Sequence, residues 1–308
     1  MNYLKLHYML HEFFDSLYAN EGTQFNYFVA RSFKGDTHAI AKKIKKNIKT
    51  THTLVSFKSM LLYHYISRNG NPEIYNRIEN LTFVKKRNAE NVFEPDTSHL
   101  SHWGELYSVP LQHALNFHKK YSCFNGQYTL YKGESIPEFL RTPVEIGLLE
   151  TETFMLFKSF NSFVGDFFRK QTANDYLQQS ISMCIDEMVD IFKLLLLVTN
   201  YKSLLEEKKF ERQNVCWCSD ELKTIQKQLV SPFLKIPPLL EIPALYNIKN
   251  NKDQLRLFLV KFPIKNYKSL EKKVGPVHEK SAQKIKETKE DKFVDNFTGD
   301  MRCVVILD

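Results

Sequence analysis

The stretch "GQYTLYKGESI", Gly126 to Ile136, alternates Tyr128, Leu130 and Lys132 with Thr129 and Tyr131, and it ends on a cation beside a glycine. That combination can hold a phosphate, because glycine lets the backbone approach an anion and the ammonium supplies charge. Tyr131, Lys132 and Gly133 equally suit the end of an ordinary strand. Cys216 and Cys218 flank Trp217 in "CWCSD" with one residue between them instead of the usual two, and no second Cys/His pair is near. Two half-buried thiols are expected there, and no metal. Glu150 and Glu152 in "ETET" read as alternating carboxylates on a solvated strand face. His64, His113 and His118 read as helix residues half-buried among aromatics.

The elements that would position these groups fall into two textures. Helical spacing runs through Leu6 to Leu17, Ile40 to Ile48, the segment up to Ile66, and a short helix after Pro72. It continues in "HWGELYSVPLQHALNFHKKY", where Leu111, Ala114, Leu115 and His118 share a face. From Gly126 the chain turns to short runs rich in Tyr, Thr, Phe, Ile and Val. "QYTLYKG", "TFMLFKSF", "IFKLLLLV", "ALYNIK" and "LRLFLVKF" read as strands, with helical spacing kept in "ANDYLQQSISMCIDEM" and "DELKTIQKQL". The expectation is an α+β protein: an N-terminal helical layer over 1–125, packed on a mixed β core over 126–265, then a basic, mobile tail over 266–308.

Composition narrows the class. A chain of 308 residues with 43% hydrophobic and 13% aromatic content can fill a sizeable core. Five cysteines are too few, and odd in number, for a disulfide framework. No run approaches a membrane span, and the N-terminus interrupts its apolar residues with His7, His11, Glu12 and Asp15 instead of forming a continuous signal region. A soluble cytoplasmic protein is expected. The net charge of +8 concentrates in "AKKIKKNIK" and the tail. Ile40, Ala41, Ile44 and Ile48 keep an apolar face behind those lysines, so they read as the solvated side of a helix capped by Asp36. No zinc-finger or RNA-binding signature accompanies the charge, so nucleic acid is not expected as a partner.

Three segments together resemble the arginine-type mono-ADP-ribosyltransferases, which split NAD and pass ADP-ribose to a protein side chain. "LLYHYISRNGNPEIYNRIENL" looks like that family's helical stretch before the catalytic core. "YSVPLQHALNFHKKYSCFNGQYTLYKGESI" is similar to the helix leading into the strand that carries Tyr-Arg-Gly, and "IGLLETETFMLFKSFNSF" to the strand bearing Phe-x-Ser-Thr-Ser. The resemblance covers about a third of the chain. It implies that Tyr131, Lys132 and Gly133 hold the NAD pyrophosphate, with Lys132 at the arginine position, and that Ser162 holds the nicotinamide side. Glu241 would stabilise the oxocarbenium-like ribose, with Glu206 or Glu207 as the alternative. Phe163 and Val164 replace the threonine and second serine, and Leu239 replaces the first acid.

The implied activity is NAD-dependent transfer to an unidentified acceptor protein, with NAD hydrolysis as a companion reaction. Two alternatives stay open: an inactive relative that keeps the NAD cleft, and an unrelated helical interaction protein. If Lys132 contacts the pyrophosphate, Lys132→Ala weakens NAD binding about tenfold or more while Lys132→Arg keeps it. Isothermal titration with NAD decides this, and unchanged affinity in the alanine variant removes the assignment.

Overall fold

Apolar residues recurring every three or four positions give amphipathic helices, and the helices follow one another along the chain. They are α1 (Asn2–Asp15), α2 (Gly22–Arg31), α3 (Thr37–Ile48), α4 (Thr53–Asn69), α5 (Glu73–Arg77), α6 (Ser98–Lys120), α7 (Pro143–Lys170), α8 (Asp175–Leu205) and α9 (Gln213–Gln228). The computed structural model describes residues 2–16, 22–50, 52–81, 98–129, 142–170, 174–205 and 213–230. All of them lie in the first of the chain's two units, Met1–Leu245.

Among the described residues there is no strand, so the expected mixed β core is replaced by helices. "TFMLFKSF" lies inside the 28-residue α7 and "IFKLLLLV" inside the 31-residue α8. Gln127 to Thr129 form a turn, and "ALYNIK" and "LRLFLVKF" lie outside the described residues. The physical reason differs between them: the exposed stripe of α7 carries Val144, Leu148 and Met155 and lacks polar contrast, while α8 is buried on most sides. Leu194, Leu195, Leu196 and Val198 are all buried, so α8 loses the polar stripe that would betray its period. Local end signals agree with helix. Pro143 occupies the first turn of α7, and Thr142 Oγ1 accepts from the Glu145 amide at 3.3 Å while donating to the Glu145 carboxylate at 2.6 Å. Asn174 Oδ1 accepts from Leu177 N at 3.1 Å at the start of α8. Gly147 and Gly165 each cost α7 about 1 kcal/mol of propensity. Leu149, Phe157, Phe160, Phe163 and Phe167 are buried on the same helix, at about 1.5–3 kcal/mol each, so burial decides.

Helix α4 is the hub, packing on α1, α2, α3, α6 and α8, while α8 packs on α7 and α9. Leu54, Phe57, Met60, Leu61, Leu62, Tyr63 and Ile66 bury most of its circumference. Lys58 is buried with them. Its Nζ donates to the Phe13 carbonyl at 2.9 Å and to the Ser16 carbonyl, satisfying groups that the end of α1 leaves free. Burial pushes this amine down to about 8, against the pull of Asp15.

The direction of α3 is set by a kink over Ser32–Asp36, where Gly35 takes φ 94°. The expected Asp36 cap is not made: its side chain accepts no α3 amide and pairs with Arg31 across the kink. Instead Thr37 Oγ1 donates to Ser32 O at 2.8 Å, and Asn71 N donates to Ser32 Oγ at 2.9 Å, tying the start of α3 to the corner after α4.

The turn after α6 docks on the last part of α4. A Cβ at Gly126 would collide with the Ser67 carbonyl and come within 2.6 Å of Arg68 Cα. These are backbone atoms with no rotamer to yield, so Gly126→Ala is expected to cost about 1–3 kcal/mol. Urea unfolding checks this: an unchanged midpoint would show that the turn does not press on α4.

Candidate functional site

Of the residues expected to bind NAD, only Ser162 lies among those described. It is exposed on α7, where that helix and α6 bound a groove, and it stands on a helix instead of the expected strand. Tyr131, Lys132, Gly133, Glu206, Glu207 and Glu241, and the tail from 266, lie outside the described residues. Glu150 and Glu152 are not on a solvated strand. Glu150 is buried on α7, where it accepts from Thr199 Oγ1 at 2.8 Å and pairs with Lys202 at 2.9 Å, both on α8. Glu152 pairs with Lys120 of α6. His64 and His118 are fully buried, deeper than expected, and His113 is exposed. Cys218 is buried and Cys216 half-buried beside Trp217, whose ring packs 5.6 Å from Phe154 and 6.0 Å from Phe157.

The largest concentration of chemistry inside the fold surrounds Glu187 in the middle of α8. Its carboxylate accepts from His64 Nε2 and from the Tyr128 hydroxyl, and Arg68 Nη1 lies 3.6 Å away. His64 Nδ1 is 2.6 Å from the Tyr107 hydroxyl, and Arg68 Nη2 donates to Asp190 at 2.8 Å. Tyr128 reaches in from a left-handed backbone, φ 58°, that non-glycine residues seldom adopt. Burial alone would raise the Glu187 carboxyl, but His64, Arg68 and Tyr128 outweigh it and hold the group down to about 2. Tyr107, His64, Glu187 and Tyr128 are at most 3% exposed, so no substrate reaches them. The cluster has the composition of a catalytic centre and the access of a core. Sequence reasoning missed it because His64 and Glu187 are 123 residues apart.

Among the described residues an accessible concentration of positive charge lies between α1 and α3. Leu6, His7 and Leu10 of α1 and Ala39, Lys42, Lys43 and Lys46 of α3 line a cleft of about 250 Å³. No carboxylate is among those lining residues. The apolar stripe foreseen for α3 is present: Ile40, Ala41, Ile44 and Ile48 are buried, which turns Lys42, Lys45, Lys46 and Lys49 outward. Lys43 sits 5.8 Å from the Phe14 ring of α1, a cation–π contact between the two helices. On α1 itself Leu4 and Tyr8, one turn apart, are 76% and 67% exposed. The lysines were legible in the sequence, but the second wall of the cleft was not, because only the fold brings α1 beside α3.

Among the described residues no group of His, Cys, Asp and Glu could hold a metal ion, and no helix is long and apolar enough to cross a membrane. No protein-family model and no curated protein matches the chain.

Two buried groups set an acid response. Burial holds His118, stacked 4.5 Å from Tyr75, down to about 4 from its ordinary 6.5. The unfolded chain therefore takes up this proton first, and stability falls from pH 6.5 to 4 by about 1.4 kcal/mol per unit. The Glu187 contribution is present above the ordinary carboxyl value of 4.5 and is lost as pH falls from there toward about 2. Chemical unfolding measured between pH 7 and 3 is expected to show this decline, with His118→Phe flattening its upper part. A curve flat from pH 7 to 4 in the wild type would contradict it.

Proposed function

We propose that this chain is a peripheral binding module that docks the α1/α3 face on an anionic lipid surface. The observation that carries the reading is the convergence of Lys42, Lys43, Lys46 and His7 on one cleft with no acid among its described lining residues. Three ammonium groups on adjacent turns repel one another, and a negative headgroup entering the cleft relieves that repulsion. The helix fixes the backbone positions of the cations, so only their side chains are left to order when an anion binds.

Lipid is favoured over nucleic acid by the exposed apolar residues of α1. Leu4 and Tyr8 stand exposed on α1, the helix that supplies one wall of the cleft. An exposed aliphatic chain and phenol on α1, with lysines on α3, suit the boundary where headgroups meet acyl chains, the level at which amphipathic rings settle. A sugar-phosphate backbone would leave Leu4 in water. Lys45 and Lys49 extend the positive face beyond the cleft, so the surface is broad enough to lie on a plane of charge.

Each lysine near an acidic surface contributes about 1 kcal/mol, so replacing Lys42, Lys43 and Lys46 together by alanine is expected to lower partitioning roughly a hundredfold. Alanine keeps α3 helical, so the fold is retained. Co-sedimentation of the full chain with vesicles of phosphatidylcholine, with and without phosphatidylserine or phosphorylated inositol lipid, measures it. Binding is expected only to the acidic vesicles and to weaken as salt rises. Equal binding to neutral vesicles, or a triple variant that binds as the wild type does, would remove the proposal. Binding to duplex or single-stranded nucleic acid without binding to vesicles would hand the face to that ligand.

A further inference from the structure

We propose that the groove between α6 and α7 is a docking site for an acidic linear peptide anchored by an aliphatic side chain. The groove encloses about 320 Å³ and is distinct from the α1/α3 cleft. Leu106 and Pro110 of α6 line it from one side, and Val109 and Met155, about half exposed at 50% and 55%, stand at its walls. Exposed apolar side chains gathered in a concavity are the part of a surface that association removes from water. Methionine, unbranched and polarisable, adapts to whichever aliphatic or aromatic group enters.

A second observation concerns the backbone. Pro110 sits inside α6. It has no amide proton to give the carbonyl four residues earlier, so Leu106 O lacks its intrahelical donor. Both residues line the groove.

Charge selects the partner. Asp166, the carboxylate among the lining residues, is already paired with Arg169. Lys158 and His113 remain on the rim, with the exposed Lys158 ammonium 5.7 Å from the Phe154 ring and in no ion pair among the described residues. The uncompensated charge is positive, which favours an acidic segment and disfavours a basic one. It also disfavours a second copy of this chain, because a two-fold contact through the groove would set Lys158 close to its own counterpart.

The test selects a random linear-peptide display library on the full chain and measures the recovered sequences as synthetic peptides by fluorescence anisotropy. The expected consensus is an aliphatic residue flanked by Asp or Glu. Val109→Glu and Met155→Glu, both at exposed positions that leave the core untouched, are expected to weaken binding roughly tenfold or more. Lys158→Glu is expected to shift the selected peptides from acidic to basic, and the Lys42, Lys43 and Lys46 triple variant to bind them as the wild type does. No acidic consensus, or peptides indifferent to the Val109 and Met155 variants, would overturn the proposal. So would sedimentation that finds a dimer dissolved by Met155→Glu, which assigns the groove to self-association.

Discussion

A carboxylate with almost no exposed surface has to be answered by cations and donors, and Glu187 imposes that requirement on the centre of this fold. The answer comes from three parts of the chain: His64 and Arg68 of α4, Tyr128 of the turn after α6, and Tyr107 of α6 through His64. His64 and Arg68 are four residues apart on α4, and Glu187 and Asp190 three apart on α8, so one turn of each helix faces one turn of the other. Apolar faces alone tolerate sliding, because one leucine replaces another. A shift by a turn, about 5.4 Å, would unpair every charge at once. The cluster therefore selects one register for two helices that hydrophobic contact would hold less specifically. The close approach at Gly126 belongs to the same constraint, since it brings Tyr128 within reach of the carboxylate.

Internal pairing also shapes the outside. Glu150 is committed to Lys202 and Thr199, Glu187 to His64 and Tyr128, and Asp190 to Arg68. These acids cannot screen lysines elsewhere. The lysines of α3 are left facing water because the isoleucines opposite them are the residues that α4 and its neighbours cover. A positive face thus arises from where the negative charges are spent as much as from where the lysines are placed. The kink at Gly35, fastened through Ser32 to the corner after α4, then aims that face.

Helices α1, α3 and α6 were legible because one side of each stays wet and the helical period survives, whereas α4, which has no exposed residue, was legible from its apolar run and from the Gly70 and Pro72 that follow it. Helices α7 and α8 were misread as strands from "TFMLFKSF" and "IFKLLLLV": α8 is buried on most sides, α7 carries Val144, Leu148 and Met155 on its exposed stripe and so lacks polar contrast, and aromatic or branched residues satisfy either geometry. Length and punctuation carried the better signal. Thr142, Pro143 and Glu145 form a helix start, and no glycine or proline interrupts the sequence from Asp175 to Leu205. The α3 lysines were correctly seen as a solvated face, but a cleft needs two walls, and nothing local in α1 announces α3. The Glu187 cluster was invisible for the same reason, its members being spread over four segments. The strand geometry expected around Ser162 has no counterpart in α7, and Tyr131, Lys132, Gly133 and Glu241 lie outside the described residues.

Lys58 makes folding a proton-releasing reaction. In water a lysine amine holds its proton to about 10.5, whereas between the α1 carbonyls and the Tyr176 ring, 5.3 Å away, it holds it only to about 8. Between those values the unfolded chain carries the proton and the folded chain has let it go, so mild alkali favours the native state at this position. The heat of unfolding there includes protonation of one amine, and its apparent size depends on the buffer that donates the proton. The side chain that closes the end of α1 thereby links helix packing to the proton activity of the solution.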